Sequence, residues 1–287
     1  MPYQSVLRAG LFAGRTMVVT GGGSGIGRCT AHELATLGAH VVITGRKIEK
    51  LEAVTAEIAA TGGACSFHAF DIREEAAVVE AIGKIVAERG RIDGLFNNAG
   101  GQFPAPAELI SQKGFDAVVR NNMTGGFLVA RETYKQSMRQ QGGAIVFMSA
   151  DERNGMPTMV HSGAARAGTD NMVMTMAFEW GHAGVRVNGV APGWIASSGM
   201  DTYTGEFKAM IPTLKNHVPV RRLGTESEIS AAVCFLLSDA AAFVTGHTLR
   251  IDGGVPLGTR NIPLPDGPGT AAFNGFHLAV TPKVLGG

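Results

Sequence analysis

The glycine-rich stretch at residues 20–27, Thr-Gly-Gly-Gly-Ser-Gly-Ile-Gly, is the feature that most constrains the fold of this chain. It follows an apolar run at 17–19 that predicts a buried strand, and it precedes a helical pattern at 28–37. A strand, a glycine turn and a helix start form a phosphate cradle, because glycine lets the backbone approach a pyrophosphate and free N–H groups face the anion. An ordinary glycine-rich turn is the alternative, but the flanking elements favour dinucleotide binding. The predicted contacts are Gly21, Ser24, Gly25, Ile26 and Gly27.

Composition and charge narrow the class of protein. The chain has 287 residues, of which 45% are hydrophobic and 17% are charged, and its net charge is +1. This length fits one large α/β domain, and the near-neutral charge argues against a nucleic-acid or membrane-surface partner. No apolar run approaches the roughly 18 residues that a membrane span needs, and the N-terminus shows no signal-peptide pattern.

The cysteines indicate a reducing compartment. Cys29, Cys65 and Cys234 lie far apart, in segments that have the patterns of regular elements. An odd number of scattered cysteines is typical of reduced core thiols rather than of disulfides. No metal-ligand spacing is visible, and the histidines form no His-x-x-x-His pair. We therefore expect a cytoplasmic protein without a metal site.

Strand and helix patterns alternate along the chain. The predicted strands are 16–20, 40–44, 65–70, 92–96, 144–148, 185–190 and 248–251, and helices are predicted between them, among them 48–60, 74–89, 112–140, 159–180 and 225–237. This order predicts a doubly wound, Rossmann-type parallel sheet of about seven strands in a single domain, residues 1–254, with its ligands at the carboxyl ends of the strands. Residues 255–287 form a Gly/Pro-rich tail for which two interpretations stay open, a cover on a neighbouring subunit or a disordered end.

Several motifs together resemble the short-chain dehydrogenase/reductase family over residues 13–254. They are Thr-Gly-x-x-x-Gly-x-Gly at 20–27, Asp71, Asn-Asn-Ala-Gly at 97–100, Asn122 and Pro192-Gly193. The resemblance implies a Rossmann-type fold, a nicotinamide cofactor and usually a tetramer. It further implies cofactor contacts at Asp71 and Ile72 for the adenine, at Asn98, Ala99 and Gly100 for the riboses, and at Pro192, Gly193 and Ile195 for the nicotinamide amide.

One segment departs from the family pattern. The family's Tyr-x-x-x-Lys should fall in the helix after the fifth strand, where this chain has Ser162 and Arg166, and no tyrosine lies between Tyr134 and Tyr203. The string His-Ser-Gly-Ala-Ala-Arg-Ala-Gly at 161–168 resembles the peroxisomal trans-2-enoyl-CoA reductases, and so do 97–103 and 111–114. That branch reduces the C2–C3 double bond of acyl-CoA thioesters with NADPH.

Two basic residues after the second strand predict the cofactor. An NAD-specific Rossmann protein places an acid there for the ribose hydroxyl, but this chain has Gly45 followed by Arg46 and Lys47. Two cations suit a 2′-phosphate, so NADPH is the expected cofactor. The alternative is a solvated helix start, since exposed basic pairs are common.

Arg166 is the central candidate for the chemistry. Arginine stays protonated and presents a planar fork of donors, so it could hold the nicotinamide ribose and keep positive potential near the hydride path. Hydride addition to an enoyl thioester gathers charge on the thioester oxygen, beside which we place Asn122 and Ser162. The alternative for Arg166 is a structural ion pair with Asp170, one helical turn away.

The source of the α-carbon proton stays open at this point. Ser149 resembles the family serine after the fifth strand, Asp151 could donate if its pKa were raised, and bulk water is a third source. Residues 194–220 resemble a mobile substrate loop in which Trp194, Met200, Tyr203, Phe207 and Met210 either line an acyl tunnel or pack as core. Lys208, Lys215, Arg221 and Arg222 are either contacts for CoA phosphates or solvated cations.

The sequence thus predicts an NADPH-dependent reductase of the C2–C3 double bond of an enoyl-CoA thioester. Its partners would be a small acyl-CoA substrate and further copies of itself in a homotetramer, without nucleic acid or membrane. One alternative is a 2,4-dienoyl-CoA reductase or a carbonyl reductase acting on a 3-oxoacyl or terpenoid substrate. A second alternative is a degenerate member that binds NADPH without turnover.

Overall fold

A computed structural model describes residues 2–257, 263–264 and 267–286. Its main strands are β1 Thr16–Thr20, β2 His40–Gly45, β3 Ala64–Ala69, β4 Gly94–Asn97, β5 Gly143–Met148, β6 Val185–Pro192 and β9 Thr248–Ile251, and two short strands are β7 Ile195–Ala196 and β8 Gly224–Thr225. The main strands form one parallel sheet in the order β3-β2-β1-β4-β5-β6-β9, and β7 pairs with β8. The predicted doubly wound sheet is confirmed.

Helices cover both faces of the sheet. They are α1 Gly25–Thr36, α2 Ile48–Ala60, α3 Glu75–Arg89, α4 Gln112–Val119, α5 Gly125–Thr133, α6 Arg139–Gln141, α7 Val160–Trp180, α8 Gly205–Met210 and α9 Glu226–Leu237. Two π-helical segments, Arg120–Thr124 and Tyr134–Met138, join α4, α5 and α6 into one helical region, close to the predicted helix at 112–140. Short 3₁₀ turns occupy Ala107–Leu109, Gly181–Ala183, Ser198–Thr202, Ile211–His217, Asp239–Ala241 and Lys283–Leu285.

The central strands are apolar throughout because both of their faces are covered. All five residues of β1 are buried. Met17 and Val19 belong to the core cluster that includes residues of α1, α2 and α9, whereas Val18 belongs to the cluster with α3, α5 and α7. Successive side chains of a strand point to opposite faces, so an unbroken hydrophobic run serves two cores at once.

The strand order reverses beside β1. From β1 the sheet runs to β2 and β3 on one side and to β4, β5 and β6 on the other. In an open parallel sheet, the crevice at such a reversal, outside the carboxyl ends of the strands, is where ligands bind. The fold therefore brings the loops after β1 and β4 together.

Local signals predicted some element ends and missed others. Thr225 and Glu228 form the predicted capping box at the start of α9. The fourth strand begins at Gly94 rather than at the predicted residue 92, because the backbone N–H of Ile92 donates to the Ser137 hydroxyl instead of to the sheet. A local sequence pattern does not reveal that this N–H has a partner far away in the chain.

The described part of the C-terminal tail packs against its own chain. The backbone carbonyl of Gly275 accepts from the N–H of Gln4, and the N–H groups of Lys283 and Val284 donate to the carboxylate of Asp201 in the substrate loop. This arrangement differs from a disordered end. The tail joins the N-terminal lead-in to the substrate loop.

Phe276 anchors this tail, and its truncation should destabilise the fold. The ring is 3% exposed and packs against Tyr3 and His32. We expect Phe276→Ala to lower the free energy of unfolding by about 3 kcal/mol, because a buried phenylalanine is lost and a cavity remains. Urea unfolding measures the change, and Phe243→Ala is the control, since the Phe243 side chain is fully exposed. Equal stability of the two variants would contradict the anchoring role.

Candidate active site

The glycine loop between β1 and α1 has the shape of a phosphate cradle. Gly21 and Gly25 have φ of +68° and +57°, in the left-handed region that favours glycine. A Cβ on Gly27 would lie 2.4 Å from the carbonyl oxygen of Gly21 and 2.6 Å from Nδ2 of Asn98. Ser24 is the N-cap of α1, and Ile26 lies in the first turn of that helix. The loop thus leaves its backbone uncovered at the start of a helix, as an anionic diphosphate requires.

Thr20 ties the loop after β4 to the glycine loop. Its hydroxyl accepts from the backbone N–H groups of Asn98 and Ala99, each at 2.9 Å, and the Asn98 side chain donates to the Thr20 carbonyl at 3.0 Å. These bonds hold residues 98–100 beside the cradle. The predicted ribose contacts therefore share one edge with the predicted phosphate contacts.

Charged side chains follow β2 and β3. Hydrogen bonds from Arg73 lower the pKa of Asp71 to about 2. The Arg46 guanidinium, 62% exposed, lies 4.0 Å from the same carboxylate, while Lys47 is exposed and Ile72 is buried. Asp71 does not cap α3, because the helix begins at Glu75 and the carboxylate bonds to Arg73 locally. A cation and an ionised carboxylate thus lie together where the adenosine end of a dinucleotide would reach.

Arg166 is a buried cation on α7. Its Nη2 donates to Oδ1 of Asn122 at 2.7 Å, and its Nη1 donates to the carbonyl of Met148 at 2.5 Å. Burial lowers the pKa of Arg166 to about 10, so the guanidinium is still charged at neutral pH. Asp170 does not pair with it directly, and its carboxylate accepts from the Thr248 hydroxyl. Within the described ranges, no carboxylate lies within ion-pair distance of Arg166.

Asn122 organises the same region from a π-helical segment, a feature found frequently at functional sites. Its Oδ1 accepts from the N–H of Gly101 at 3.0 Å as well as from Arg166, and its Nδ2 donates to the carbonyls of Gly101 and Val118. A Cβ on Gly100 would lie 2.5 Å from that Oδ1. All of its hydrogen-bonding capacity is committed to the loop after β4, to Arg166 and to the preceding helical turn, so Asn122 acts here as an organising group.

Ser162 has a partner that sequence reasoning missed. The fully buried Ser162 hydroxyl donates to Oε1 of Gln102, whose Nε2 donates to the Tyr203 hydroxyl at 3.2 Å. Gln102 lies in the string at 97–103 that resembles the enoyl-CoA reductases, and that resemblance was the only available signal for it. The structure therefore joins α7, the β4 loop and the substrate loop through one amide.

The two proton-donor candidates have other partners. The Ser149 hydroxyl, buried, donates to the backbone carbonyl of Arg166 at 3.4 Å. Asp151 accepts from Arg250 at 2.6 Å; burial raises the pKa of Asp151, and the Arg250 charge opposes that rise. The ion pair favours the ionised carboxylate, whereas donation needs the neutral acid. A donor role for either residue stays a prediction.

A cavity of about 1140 Å³ opens at the carboxyl edge of the sheet. Pro192 and Gly193 line it, and the backbone of Gly193 approaches Asp252 so closely that a Cβ would lie 2.8 Å from Asp252 Cα. Ile195 is buried in β7 beside them. The cavity is also lined by Gln102, Asp151, Met159, Trp194, Phe207 and Arg221. Its volume is ample for a drug-sized ligand.

The substrate-loop candidates divide into groups. Trp194 and Phe207 line the cavity, whereas Met200 is buried in a small core cluster of the loop itself and Met210 is exposed. Arg222 is paired with Glu228 and bonds tail carbonyls, so it is a structural cation. Lys208 is half-buried and Lys215 is exposed.

The described residues form neither a metal-binding cluster nor a membrane-spanning helix. No group of three or more His, Cys, Asp or Glu side chains within residues 2–257, 263–264 and 267–286 could hold a metal ion. In the same part of the chain, every helix is too short or too polar to cross a membrane.

Comparison with known proteins identifies a family and two relatives, all described as reductases. A family model described as enoyl-(acyl carrier protein) reductase matches residues 21–256. A Bacillus subtilis strain 168 protein named "Probable 2,4-dienoyl-CoA reductase" ((2E)-enoyl-CoA-producing) is 38% identical over 244 residues, 84% of this chain and 96% of that protein. The peroxisomal 2,4-dienoyl-CoA reductase ((3E)-enoyl-CoA-producing) of Pongo abelii is 36% identical over 96% of this chain and 93% of its own length.

A solved structure is more similar in sequence than these relatives. The citronellol catabolism dehydrogenase (AtuB) of Pseudomonas aeruginosa PAO1 is 58% identical and has a TM-score of 0.81. The match covers 89% of this chain and 100% of that one. The fold therefore has a close counterpart in a solved oxidoreductase.

Proposed function

Because the chain belongs to the short-chain dehydrogenase/reductase family, we propose that it is an NADPH-dependent reductase of the C2–C3 double bond of an enoyl-CoA thioester. The observation that carries this proposal is the buried guanidinium of Arg166, bonded to Asn122, in a site whose tyrosine position is held by Ser162. A carbonyl reductase protonates an alkoxide on oxygen and needs an acidic group there. A conjugated thioester instead needs its negative charge stabilised, which a fixed cation does.

The residues at the sheet edge fit a nicotinamide dinucleotide. The glycine loop would hold the diphosphate, Asp71 and Ile72 the adenine, and residues 98–100 the riboses, while Arg46 and Lys47 would meet the 2′-phosphate. Bound there, NADPH supplies a hydride for the β-carbon of the substrate. Pro192 and Gly193 bring backbone groups to the cavity at the place where the nicotinamide amide would lie.

Arg166 would act through its field rather than by giving a proton. Both of its terminal nitrogens already donate to Asn122 and Met148, and Nε is buried without a partner in the described part of the chain. Positive potential in a buried site lowers the energy of an enolate, because charge–charge interaction is stronger where water is excluded. Asn122 would hold the guanidinium and the loop after β4 in fixed positions relative to each other.

Two relatives favour competing substrates. The names of the Bacillus subtilis and Pongo abelii proteins favour a 2,4-dienoyl-CoA, whose reduction also places charge on a conjugated thioester. The 58% identity to the citronellol catabolism dehydrogenase favours a terpenoid alcohol or carbonyl. Alcohol oxidation, however, needs a base for the hydroxyl proton, and the Ser162 hydroxyl with the Arg166 cation supplies none.

One panel of substrates separates these functions. NADPH oxidation is followed with crotonyl-CoA, a longer 2-enoyl-CoA, a 2,4-dienoyl-CoA, a 3-oxoacyl-CoA and citronellal, and NADP⁺ reduction is followed with citronellol. We expect kcat/KM to be highest for an enoyl thioester. Turnover of citronellol or the 3-oxoacyl-CoA alone would replace the proposal, and tight NADPH binding without turnover of any substrate would identify a degenerate binding protein.

Arg46 should set the preference for NADPH over NADH. We expect Arg46→Ser to raise KM for NADPH about tenfold and to leave KM for NADH unchanged, because a partly exposed contact to a phosphate dianion is worth about 1.5 kcal/mol. Arg8→Ser, which removes an exposed cation from the N-terminal lead-in, is the matched control. Equal losses with both cofactors would mean that Arg46 does not contact the 2′-phosphate.

We further propose a cytoplasmic homotetramer. Free thiols at Cys29, Cys65 and Cys234 support a reducing compartment. Met174 and Phe178, one turn apart on α7, are 54% and 90% exposed and form an apolar strip suited to a second subunit. Light scattering of the purified chain tests the assembly.

A further inference from the structure

We propose that the amide of Gln102 and the hydroxyl of Tyr203 donate hydrogen bonds to the substrate's thioester oxygen, and that Ser162 is a positioning residue that acts through Gln102. This inference rests on the proposed function, since it concerns the donors that meet the oxygen of an enoyl or dienoyl thioester. It assigns the direct contact to groups outside the 162–166 segment.

The direction of the hydrogen bonds carries the first step. Ser162 donates its only proton to Oε1 of Gln102, so it has none left for a substrate. This bond orients the amide, whose Nε2 donates one hydrogen to the Tyr203 hydroxyl. The second amide hydrogen and the phenolic hydrogen have no acceptor among the residues that the structure describes. Two donors are therefore left over.

The position of this pair carries the second step. Gln102 lines the large cavity together with Trp194 and Phe207. The ring of Tyr203 packs against Phe207, with ring centroids 4.8 Å apart, and belongs to the apolar cluster of the substrate loop. The Tyr203 phenol therefore meets Gln102 from a segment whose residues Trp194 and Phe207 line the cavity.

Asn122 and Ser149 are committed to other partners, which excludes them as donors. Asn122 uses both lone pairs of its carbonyl oxygen and both amide hydrogens in bonds to Arg166 and the backbone, and Ser149 donates its only proton to the carbonyl of Arg166. Arg166 spends two of its five N–H groups on Asn122 and Met148, and in the proposed function it contributes its charge. An oxyanion needs donors that are already oriented before the charge develops, because reorientation during the reaction costs free energy. Gln102 and Tyr203 meet that requirement.

The test compares single variants of the intact enzyme with crotonyl-CoA and with the best substrate of the panel. Gln102→Met and Tyr203→Phe remove one donor each with little change of volume, and we expect kcat to fall about 10²-fold for each. The Kd for NADPH, measured by fluorescence, should stay within about twofold of the wild type. Tyr134→Phe is the control, since Tyr134 is stacked on Trp180 with ring centroids 4.4 Å apart.

A double variant tests the role of Ser162. If Ser162 works through Gln102, Ser162→Ala combined with Gln102→Met should lose no more activity than Gln102→Met alone, because coupled residues are non-additive. Gln102→Glu adds a pH readout. Its ionised carboxylate cannot donate, so kcat should rise as the pH is lowered and the acid form is populated, a gain that the wild type lacks.

The outcomes distinguish a failure of this inference from a failure of the proposed function. Wild-type turnover of a thioester with near-normal kcat in Gln102→Met or Tyr203→Phe would overturn this inference and leave the proposed function standing. A rise in KM without a fall in kcat would also overturn it, because the donors would then bind substrate and transition state equally. A wild-type enzyme that turns over no thioester would overturn the proposed function, and this inference with it.

Discussion

Arg166→Met is expected to lower kcat/KM for an enoyl thioester about 10³-fold, equivalent to about 4 kcal/mol of transition-state stabilisation. The methionine keeps the approximate length of the side chain but removes a buried positive charge beside Asn122 and Met148. Arg166 is 7% exposed, and the residues described for this chain place no carboxylate within ion-pair distance of it. In the proposed function, the counter-charge of this cation is the enolate that develops on the bound substrate.

Stability separates this function from a structural role. Burial lowers the pKa of Arg166 to about 10, so at any pH below that value the charged form is less favourable in the folded chain than in the unfolded one. Replacing the cation removes this cost and forfeits the hydrogen bonds to Met148 and Asn122. We therefore expect the free energy of unfolding to change by less than about 2 kcal/mol. A structural ion pair with Asp170 would instead make the variant strongly destabilised.

The measurements for this variant are steady-state kinetics, NADPH affinity and urea unfolding. Arg120→Met is a matched control, because Arg120 lies in the same π-helical segment as Asn122 but is exposed and 3.6 Å from Glu74. Full activity of Arg166→Met would remove the cation from the mechanism. Loss of folding with Arg166→Met but not with Arg120→Met would show that Arg166 has a structural role instead.

The cradle and the sheet were predictable because their signals are local. The glycines of residues 20–27, the apolar run of β1 and the helix pattern that follows occupy one continuous stretch, and backbone geometry there depends on neighbours in the sequence. Thr225 and Glu228 act across three residues, and their capping box was equally readable. Interactions of this range leave a pattern that one sequence contains.

The donors of the site were not predictable because their partners are distant. Ser162 lies 60 residues from Gln102 in sequence, and Tyr203 lies 101 residues from it. Sequence reasoning placed Tyr203 among residues that either line an acyl tunnel or pack as core, and it placed Asn122 and Ser162 beside the thioester oxygen. Asp71 bonds to Arg73, two residues away, rather than to the N–H groups at the start of α3, and because both partners lie within its reach only the geometry decides between them.

Gly27→Ala is expected to weaken NADPH binding about 10³-fold. The added methyl carbon would lie 2.4 Å from the Gly21 carbonyl oxygen and 2.6 Å from the Asn98 amide, so the glycine loop or the β4 loop must move. Backbone cannot yield as a flexible side chain can, and a moved loop loses its bonds to the diphosphate. Two bonds to a charged group, each worth about 1.5–3 kcal/mol, account for an effect of this size.

Gly181→Ala is the control that isolates the cradle. Gly181 has no atom within 4 Å of an added Cβ and lies at the end of α7, so the same substitution there meets open space. Fluorescence titration gives the Kd of both variants, and urea unfolding gives their stability. If Gly27→Ala is folded and binds NADPH as tightly as Gly181→Ala, residues 20–27 do not hold a phosphate, and the loop is only a tight turn between a strand and a helix.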